Sequence, residues 1–439
     1  MRKSWFRIAA LAGAAVAVVA VGGTASAQQS AGQQNAVSPA SGRGLPSATG
    51  QPVLRQVAKV SYPAPEMAPA SFDISWVDPA TQTYYLSDHT NDGVDAINAA
   101  TDTFESVIGA GDFTGNGTTA TAAQNAACGS HGTGGPNGEL SLEVGGVNQL
   151  WAGNGVDAAT PVSAVKVFDL ATPGSGTLAA TISTGGKCRA DELSYDPVDH
   201  LVLIANDLDT PAYVSLISVH RDPSQDKVVK TITFSNAIDG IEASAYDAGN
   251  GMFYVNIPQV PTTTGAWQGE VAMINPRTMT VARTFPVAGC SPAGLAIDTA
   301  SQQMLLGCSG DAVTGDTVAG VTYGPNHAAS VIMSARDGRI VGSTGQVGGS
   351  DEVWFDPTSR TYYLAANSMT SNGESTGYAT PVLGVIAAGR ASSNGSASRW
   401  LGNFPTAAQA HSVAVDSVNG RIFVPIPGYG IAVFAASGH

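Results

Sequence analysis

Cys188-Arg-Ala-Asp191-Glu192-Leu-Ser-Tyr-Asp196-Pro-Val-Asp-His-Leu201-Val-Leu-Ile-Ala-Asn206-Asp207 is the stretch whose reading decides the fold of this 439-residue chain. An acidic opening leads through alternating apolar positions to an Asp. A short turn and a second apolar run ending in small polar residues follow, which is the pattern of a β-hairpin. The unit recurs as Phe72-Asp73-Ile-Ser-Trp-Val-Asp78, Ile241-Glu242-Ala-Ser-Ala-Tyr-Asp247, Ser291-Pro-Ala-Gly-Leu-Ala-Ile-Asp298, Ser350-Asp351-Glu352-Val-Trp-Phe-Asp356 and Ala410-His411-Ser-Val-Ala-Val-Asp416, each followed by its own apolar run. With Gly145 standing for the missing Asp of one repeat, the markers are separated by 67, 51, 51, 51, 58 and 60 residues.

A period near 50 with four short strands per unit is the spacing of a β-propeller blade. Third strands are expected at Val94–Asn98, Val165–Asp169, Val214–Ser218, Val271–Asn275, Val331–Ser334, Leu383–Ile386 and Ile431–Phe434. The last repeat ends at its third strand, while an unassigned alternating segment, Val53–Tyr62, precedes the first. That segment is expected to complete the last blade and close the ring, because an open array would leave two free sheet edges. The expected fold is therefore all-β, a seven-bladed β-propeller over residues 52–439 closed by an N-terminal strand. Insertions are expected at Asp112–Gly138, Gly310–His327 and Ser368–Thr380.

Residues 1–27 have the basic start, apolar middle and Ala25-Ser-Ala27 ending of a secretory signal. Residues 28–51, rich in Gln, Ser, Ala, Gly and Pro, read as a disordered leader. No later stretch approaches the roughly 20 apolar residues of a spanning helix, so the expected product is a secreted or periplasmic protein without a transmembrane segment. The net charge of -14 excludes nucleic acid and anionic membrane as partners, leaving a small-molecule ligand or another protein. A monomer is expected. Four cysteines in an exported chain suggest two disulfides. Cys290 and Cys308 lie on neighbouring strands of one hairpin, so Cys128 and Cys188 pair by elimination.

First strands line the axis of a propeller. Five residues before each marker stand Asp73, Asp191, Glu242, Ala293, Asp351 and His411, with Glu139 the nearest candidate in the second blade. Like charges gathered in a channel raise one another's pKa unless a cation or shared protons compensate them. The expected compensator is a divalent metal, Ca²⁺ above all, held by Asp73, Glu139, Asp191, Glu242 and Asp351, with Asn206 as an amide oxygen. Asn154 and Asn367 occupy corresponding places. His411 tilts the choice toward a transition metal or a proton-transfer role, with Asp351 as its catalytic companion. Glu192 and Glu352, one residue further on, are expected to face the contacts between blades. An Asp or Glu at a strand start commonly does no more than accept hydrogen bonds from loop amides, and the markers themselves are assigned to turns.

The motifs His411-Ser-Val-Ala-Val-Asp416, Cys290-Ser-Pro-Ala-Gly-Leu-Ala296 and Asp351-Glu-Val-Trp354 resemble those of exported bacterial YVTN-repeat and gluconolactonase-like propellers. The gluconolactonase-like resemblance implies an axial divalent metal held by acidic and Asn side chains and hydrolysis of lactones, with Asp73, Glu242, Asp351 and Asn206 in the metal-holding places. The YVTN-type resemblance implies seven blades, in many cases without an enzymatic role. The functional expectation is thus a lactone- or ester-type hydrolase assisted by a divalent metal. Its alternative is a non-catalytic ligand-binding or protein-interaction propeller.

Overall fold

The second and third strands of each repeat are apolar at consecutive positions, as strands covered on both faces must be. Leu201–Asn206 and Thr361–Ala366 are buried along their whole length. The computed structural model describes residues 54–129, 132–263, 267–309, 317–318, 321–322, 329–367, 381–389 and 398–436. Among these, seven four-stranded antiparallel sheets succeed one another along the chain. Blade 1 begins with Phe72–Asp78, blade 2 with Glu139–Val144, blade 3 with Leu193–Asp196 and blade 4 with Ser244–Asp247. Blades 5, 6 and 7 begin with Ser291–Asp298, Ser350–Asp356 and Ala414–Asp416. The expected third strands are all present within one to four residues at either end.

Blade 7 takes its outer strand from the other end of the chain. Leu54–Val60 pairs antiparallel with Gly430–Ala436, from Leu54 opposite Ala436 to Val60 opposite Ile431. Val60 is fully buried with Phe72, Tyr84, Phe423 and Val433, so this strand joins blades 7 and 1 by packing as well as by its hydrogen bonds. Neighbouring blades share apolar cores: Leu203, Val214 and Leu216 of blade 3 pack on Phe253, Val255 and Ala272 of blade 4. Each such side chain contributes about 1.5–3 kcal/mol by leaving water.

The Asp markers make the turns assigned to them. Oδ1 of Asp78, Asp196, Asp247, Asp298, Asp356 and Asp416 accepts the backbone N–H two residues on, at 2.8–3.1 Å. The residue four places after the marker then adopts a left-handed conformation, as at Gln82 (φ 51°), Gln302 (φ 56°) and Arg360 (φ 52°). From there its side chain reaches back to the marker of the preceding blade. Gln302 Nε2 donates to Asp247 Oδ2 at 2.7 Å, Arg360 Nη2 to Asp298 Oδ2 at 2.6 Å, and Gln82 Nε2 to Asp416 Oδ2 at 2.9 Å. The last of these crosses the closure between blades 1 and 7, so the same device that orders the turn also links the ring.

Both disulfides form as expected, Cys128–Cys188 and Cys290–Cys308. Within the insertion before blade 2, Ala122–Cys128 is a short helix held by a capping box between Thr121 and Gln124, an element that composition did not suggest. The expected signal and leader, residues 1–51, lie outside the described residues, as do most of the expected insertion Gly310–His327 and all of Ser368–Thr380. No helix among the described residues is long and apolar enough to cross a membrane.

Closure by the N-terminal strand has a direct test. Deleting residues 54–62 is expected to bare the edge of blade 7 and drive self-association, seen as higher-order species in size-exclusion chromatography. Val60→Asp is expected to cost about 3–5 kcal/mol in urea unfolding, the cost of an uncompensated buried charge. Unchanged stability in both variants would contradict the closure.

Candidate functional site at the propeller axis

Apart from Glu139, which pairs regularly opposite Ala152, the residues expected to ring the axis do not sit on regular strand. In blades 1, 5 and 6 the pairing register breaks at this point, between Phe72 and Ser75, Pro292 and Leu295, and Ser350 and Val353. In blades 3, 4 and 7 the strand begins only afterwards, so Asp191, Glu242 and His411 lie on extended approach segments. Their backbone still bonds the second strand, with Asp191 N donating to Ala205 O and Ala205 N to Glu192 O, but two residues stand opposite one, so these side chains are not bound to strict alternation. Asp73, Asp351 and His411 therefore line a cavity of about 370 Å³ at one mouth of the channel, together with Phe72, His89 and Arg189.

Arg189 organises this mouth. Its Nη1 lies 3.0 Å from Asp73 Oδ2, its Nη2 2.5 Å from Asp191 Oδ2 and its Nε 2.9 Å from Asp207 Oδ2. Every edge of the guanidinium faces a carboxylate, the fork geometry at which arginine excels. Its side chain is 17% exposed, whereas those of Asp191 and Asp207 are 1% and 2% exposed, so the carboxylates are screened from water mainly by their own counter-charge. The backbone entering this segment is tied down as well. Cys188 is disulfide-bonded, and the Lys187 and Cys188 amides donate to Asp209 at 2.9 and 3.4 Å.

His411 supplies a second positive charge. Its ring stacks on Phe72 with centroids 4.9 Å apart and planes 13° apart. Nδ1 donates to the Gln409 carbonyl at 2.8 Å, and Nε2 faces Asp73 Oδ1 at 3.8 Å. Burial disfavours the imidazolium, but Asp73 and Asp351 outweigh it and lift the pKa to about 9. Burial likewise tends to raise Asp73, yet Arg189 and His411 hold it near 2. His89 behaves oppositely: burial lowers its pKa, and its two nitrogens meet Ser71 and Asn137 at 3.3 Å.

Deeper carboxyls lack such partners. Burial raises Glu192 to about 8 despite Arg189, and Asp207 and Asp73 add to the rise. Burial, Glu192 and Asp351 together push Glu242 well above the carboxylate range. Burial also raises Asp351 against the pull of His411. Glu139 accepts a short hydrogen bond from Ser87 Oγ and is raised by burial.

Glu352 goes to the contact between blades, as expected. One of its oxygens accepts from Val413 N at 2.8 Å, Ser412 Oγ at 2.5 Å and Ser75 Oγ at 3.3 Å, so it ties blade 6 to blades 7 and 1. Both Glu352 and Glu192 also border the channel, and Glu192 lies just ahead of the strand of blade 3.

Asp73, Asp191, Asp351 and His411 are thus assembled around Arg189, while Glu139 lies further down the channel. Asn206 Nδ2 donates to Ser215 within its own blade at 3.2 Å, and Asn154 Oδ1 accepts from Thr114 at 3.0 Å. Asn367 borders the mouth. Among the described residues no group of three or more His, Cys, Asp or Glu side chains is arranged to hold a metal ion. Arg189 and Asp207, absent from the expected site, were open to view. Both stand in the repeat that revealed the fold, and a single arginine two residues before a ring carboxylate is the signal.

No protein-family model matches the sequence, and no curated protein does. Among solved structures the chain is similar to the WD40 domain of Neurospora crassa Pan2, with 11% identity over 90% of this chain and 98% of that one and a TM-score of 0.55. It is also similar to a protein of Bacteroides uniformis assigned as a 6-phosphogluconolactonase, with 13% identity over 82% and 90% of the two chains and a TM-score of 0.50. At these identities the likeness defines the class of fold, a seven-bladed propeller, and nothing finer.

Two predictions come from the charges. Replacing Arg189 by Met leaves Asp191 and Asp207 without their cation and Asp73 with His411 alone, and is expected to cost about 3–5 kcal/mol near neutral pH. Part of the loss should return as the pH is lowered and the buried carboxyls, Asp191 first, take up protons, and urea titrations at two pH values would detect it. The second concerns Glu352, which burial raises to about 8 against its hydrogen bonds. A carboxyl raised on folding stabilises fully below its unfolded pKa, and that stability disappears as pH rises through the folded value. Glu192 has the same sign, and His411 adds a loss between its ordinary pKa and about 9. The melting temperature should therefore fall from about pH 5 to pH 9, and Glu352→Gln, which mimics the protonated form, should flatten that fall.

Proposed function

We propose that the protein is a ligand-binding propeller of the YVTN-repeat and gluconolactonase-like kind, and that the Arg189 mouth takes a small, neutral, hydroxyl-rich molecule of sugar or sugar-lactone type. The observation that supports this reading is the buried Arg189 cluster, with Asp73, Asp191 and Asp207, at the floor of a cavity of about 370 Å³. Three carboxylates against Arg189 and His411 leave the mouth without spare positive charge, which disfavours an anionic ligand. Asp351, Asn367 and Gln409 border the cavity and can take or give hydrogen bonds to hydroxyl groups.

The finer reading is hydrolysis of a lactone or ester. Asp351, whose raised pKa makes it a stronger base than an ordinary carboxylate, removes a proton from water as the water oxygen bonds to the acyl carbon. The acyl C–O bond breaks, and the His411 imidazolium gives its Nε2 proton to the departing alkoxide. The product is a hydroxy acid, and the proton on Asp351 restores His411 through solvent. Arg189 acts as a positioning residue, through its hold on Asp73.

The test is calorimetric titration and turnover with a panel of sugar lactones and the matching neutral sugars. His411→Gln is expected to lower kcat by about 10²-fold or more with KM little changed, and to remove the alkaline limb of the pH profile. Saturable binding without turnover would remove the hydrolytic reading and keep the binding one. Absence of both would sink the proposal.

A second reading has an observation of its own. Glu139 Oε1, Asn206 Oδ1 and Asp207 Oδ1 are buried oxygens without hydrogen-bond partners, the donor type that Ca²⁺ takes. A rise in melting temperature with calcium, abolished in the double variant Glu242→Gln, Asp351→Asn, would favour an axial cation. No response would leave Arg189 as the compensating charge.

A further inference from the structure

The channel has a second mouth. Asp73 and His411 stand where the first strands begin, and the same strands run on to border a separate cavity of about 450 Å³ with their later residues. Its chemistry differs from that of the Arg189 mouth. Trp76, Trp354, Tyr195 and Tyr246 form half-buried aromatic walls, with the two indoles edge to face at 5.3 Å between centroids. No Lys, Arg or His borders it.

Four acids border this cavity, Glu139, Glu192, Asp351 and Glu352. Asp351 is shared with the first mouth and Glu352 is engaged by Val413, Ser412 and Ser75, while Glu139 and Glu192 are only 3% and 8% exposed. Glu139 Oε1 and Glu192 Oε2 have no hydrogen-bond partner. Arg189 directs its three nitrogens at Asp73, Asp191 and Asp207. An apolar, aromatic cavity thus meets two deeply buried carboxyls, each with an oxygen that lacks a donor among the described residues.

We propose that this second mouth binds a hydrophobic or aromatic primary amine as its ammonium ion. The head group would give its N–H donors to Glu139 and Glu192, and its tail would lie against the indole and phenol rings. Each alternative ligand class leaves part of the cavity unused. A carboxylate or phosphate would meet the two acids with no cation in the lining. A neutral apolar molecule would cover the carboxyls without satisfying them, at a cost of a few kcal/mol. A hydrated metal ion would have no use for the aromatic faces, whereas an ammonium ion is attracted to them and, once seated, favours the ionised form of the two carboxyls that burial otherwise keeps protonated. The volume falls within the 300–1,000 Å³ or so of small-molecule pockets.

Titration calorimetry of the full chain with phenethylamine tests this, with phenethyl alcohol as the probe of the same shape and no charge. The amine is expected to bind saturably at one site, and the alcohol at least about tenfold more weakly. Glu192→Gln should weaken the amine about tenfold or more while leaving the alcohol unchanged. Glu139→Gln serves as a second, independently folded variant, and thermal melts confirm that each is native. Equal affinity for amine and alcohol, absence of saturable binding, or amine binding indifferent to both Gln substitutions would each overturn the proposal.

Discussion

One guanidinium against three buried carboxylates is the constraint on which the axis of this molecule depends. A propeller brings the start of every first strand to the same line, and here those starts carry acids in most blades. Buried without compensation, such a set would cost several kcal/mol per ion. Arg189 meets Asp73 of blade 1 together with Asp191 and Asp207 of its own blade, so its charge is shared across the channel and not confined to one hairpin. Glu192 and Glu242, which Arg189 does not contact, are raised toward the neutral form by burial and neighbouring acids, and burial raises Asp191 as well despite its contact with Arg189. Charge near the axis is thus balanced partly by pairing and partly by protonation.

The ring is held shut by three interactions of different range. The N-terminal strand supplies the missing ladder of blade 7. Gln82 reaches the Asp416 turn, repeating a contact made between blades 4 and 5 and between blades 5 and 6. Glu352, near the axis, joins blades 6, 7 and 1 through a single carboxylate oxygen. Outer edge, turn and channel wall are each tied at the same seam, which is where a ring made from one open chain would otherwise part.

The two mouths differ because a strand that starts polar ends apolar. The residues opening the first strands are charged and lie on bulged or unpaired backbone, while Trp76, Tyr195, Tyr246 and Trp354 follow on regular strand. One end therefore presents a guanidinium and an imidazolium, and the other presents aromatic walls. Glu192 sits between them, buried from both sides.

Fold, blade number, strand exchange and both disulfides were legible in the sequence, since each is written in a local signal: a period near 50, an alternating segment without a partner, cysteines on adjacent strands. The turn role of the Asp markers was legible for the same reason. The candidate site was legible only as a list. Counting five residues back listed Asp73, Asp351 and His411, which line one cavity with Arg189, and Asp191, which Arg189 contacts, but it assumed regular pleating that bulges interrupt. That Arg189 is the charge around which Asp73 and Asp207 gather could not be read from spacing, because Asp73 is 116 residues away and only ring closure brings it within 3.0 Å. Local pattern determines which strands form. Which charges meet is decided by the direction in which side chains leave a closed channel, and that is a property of the tertiary structure alone.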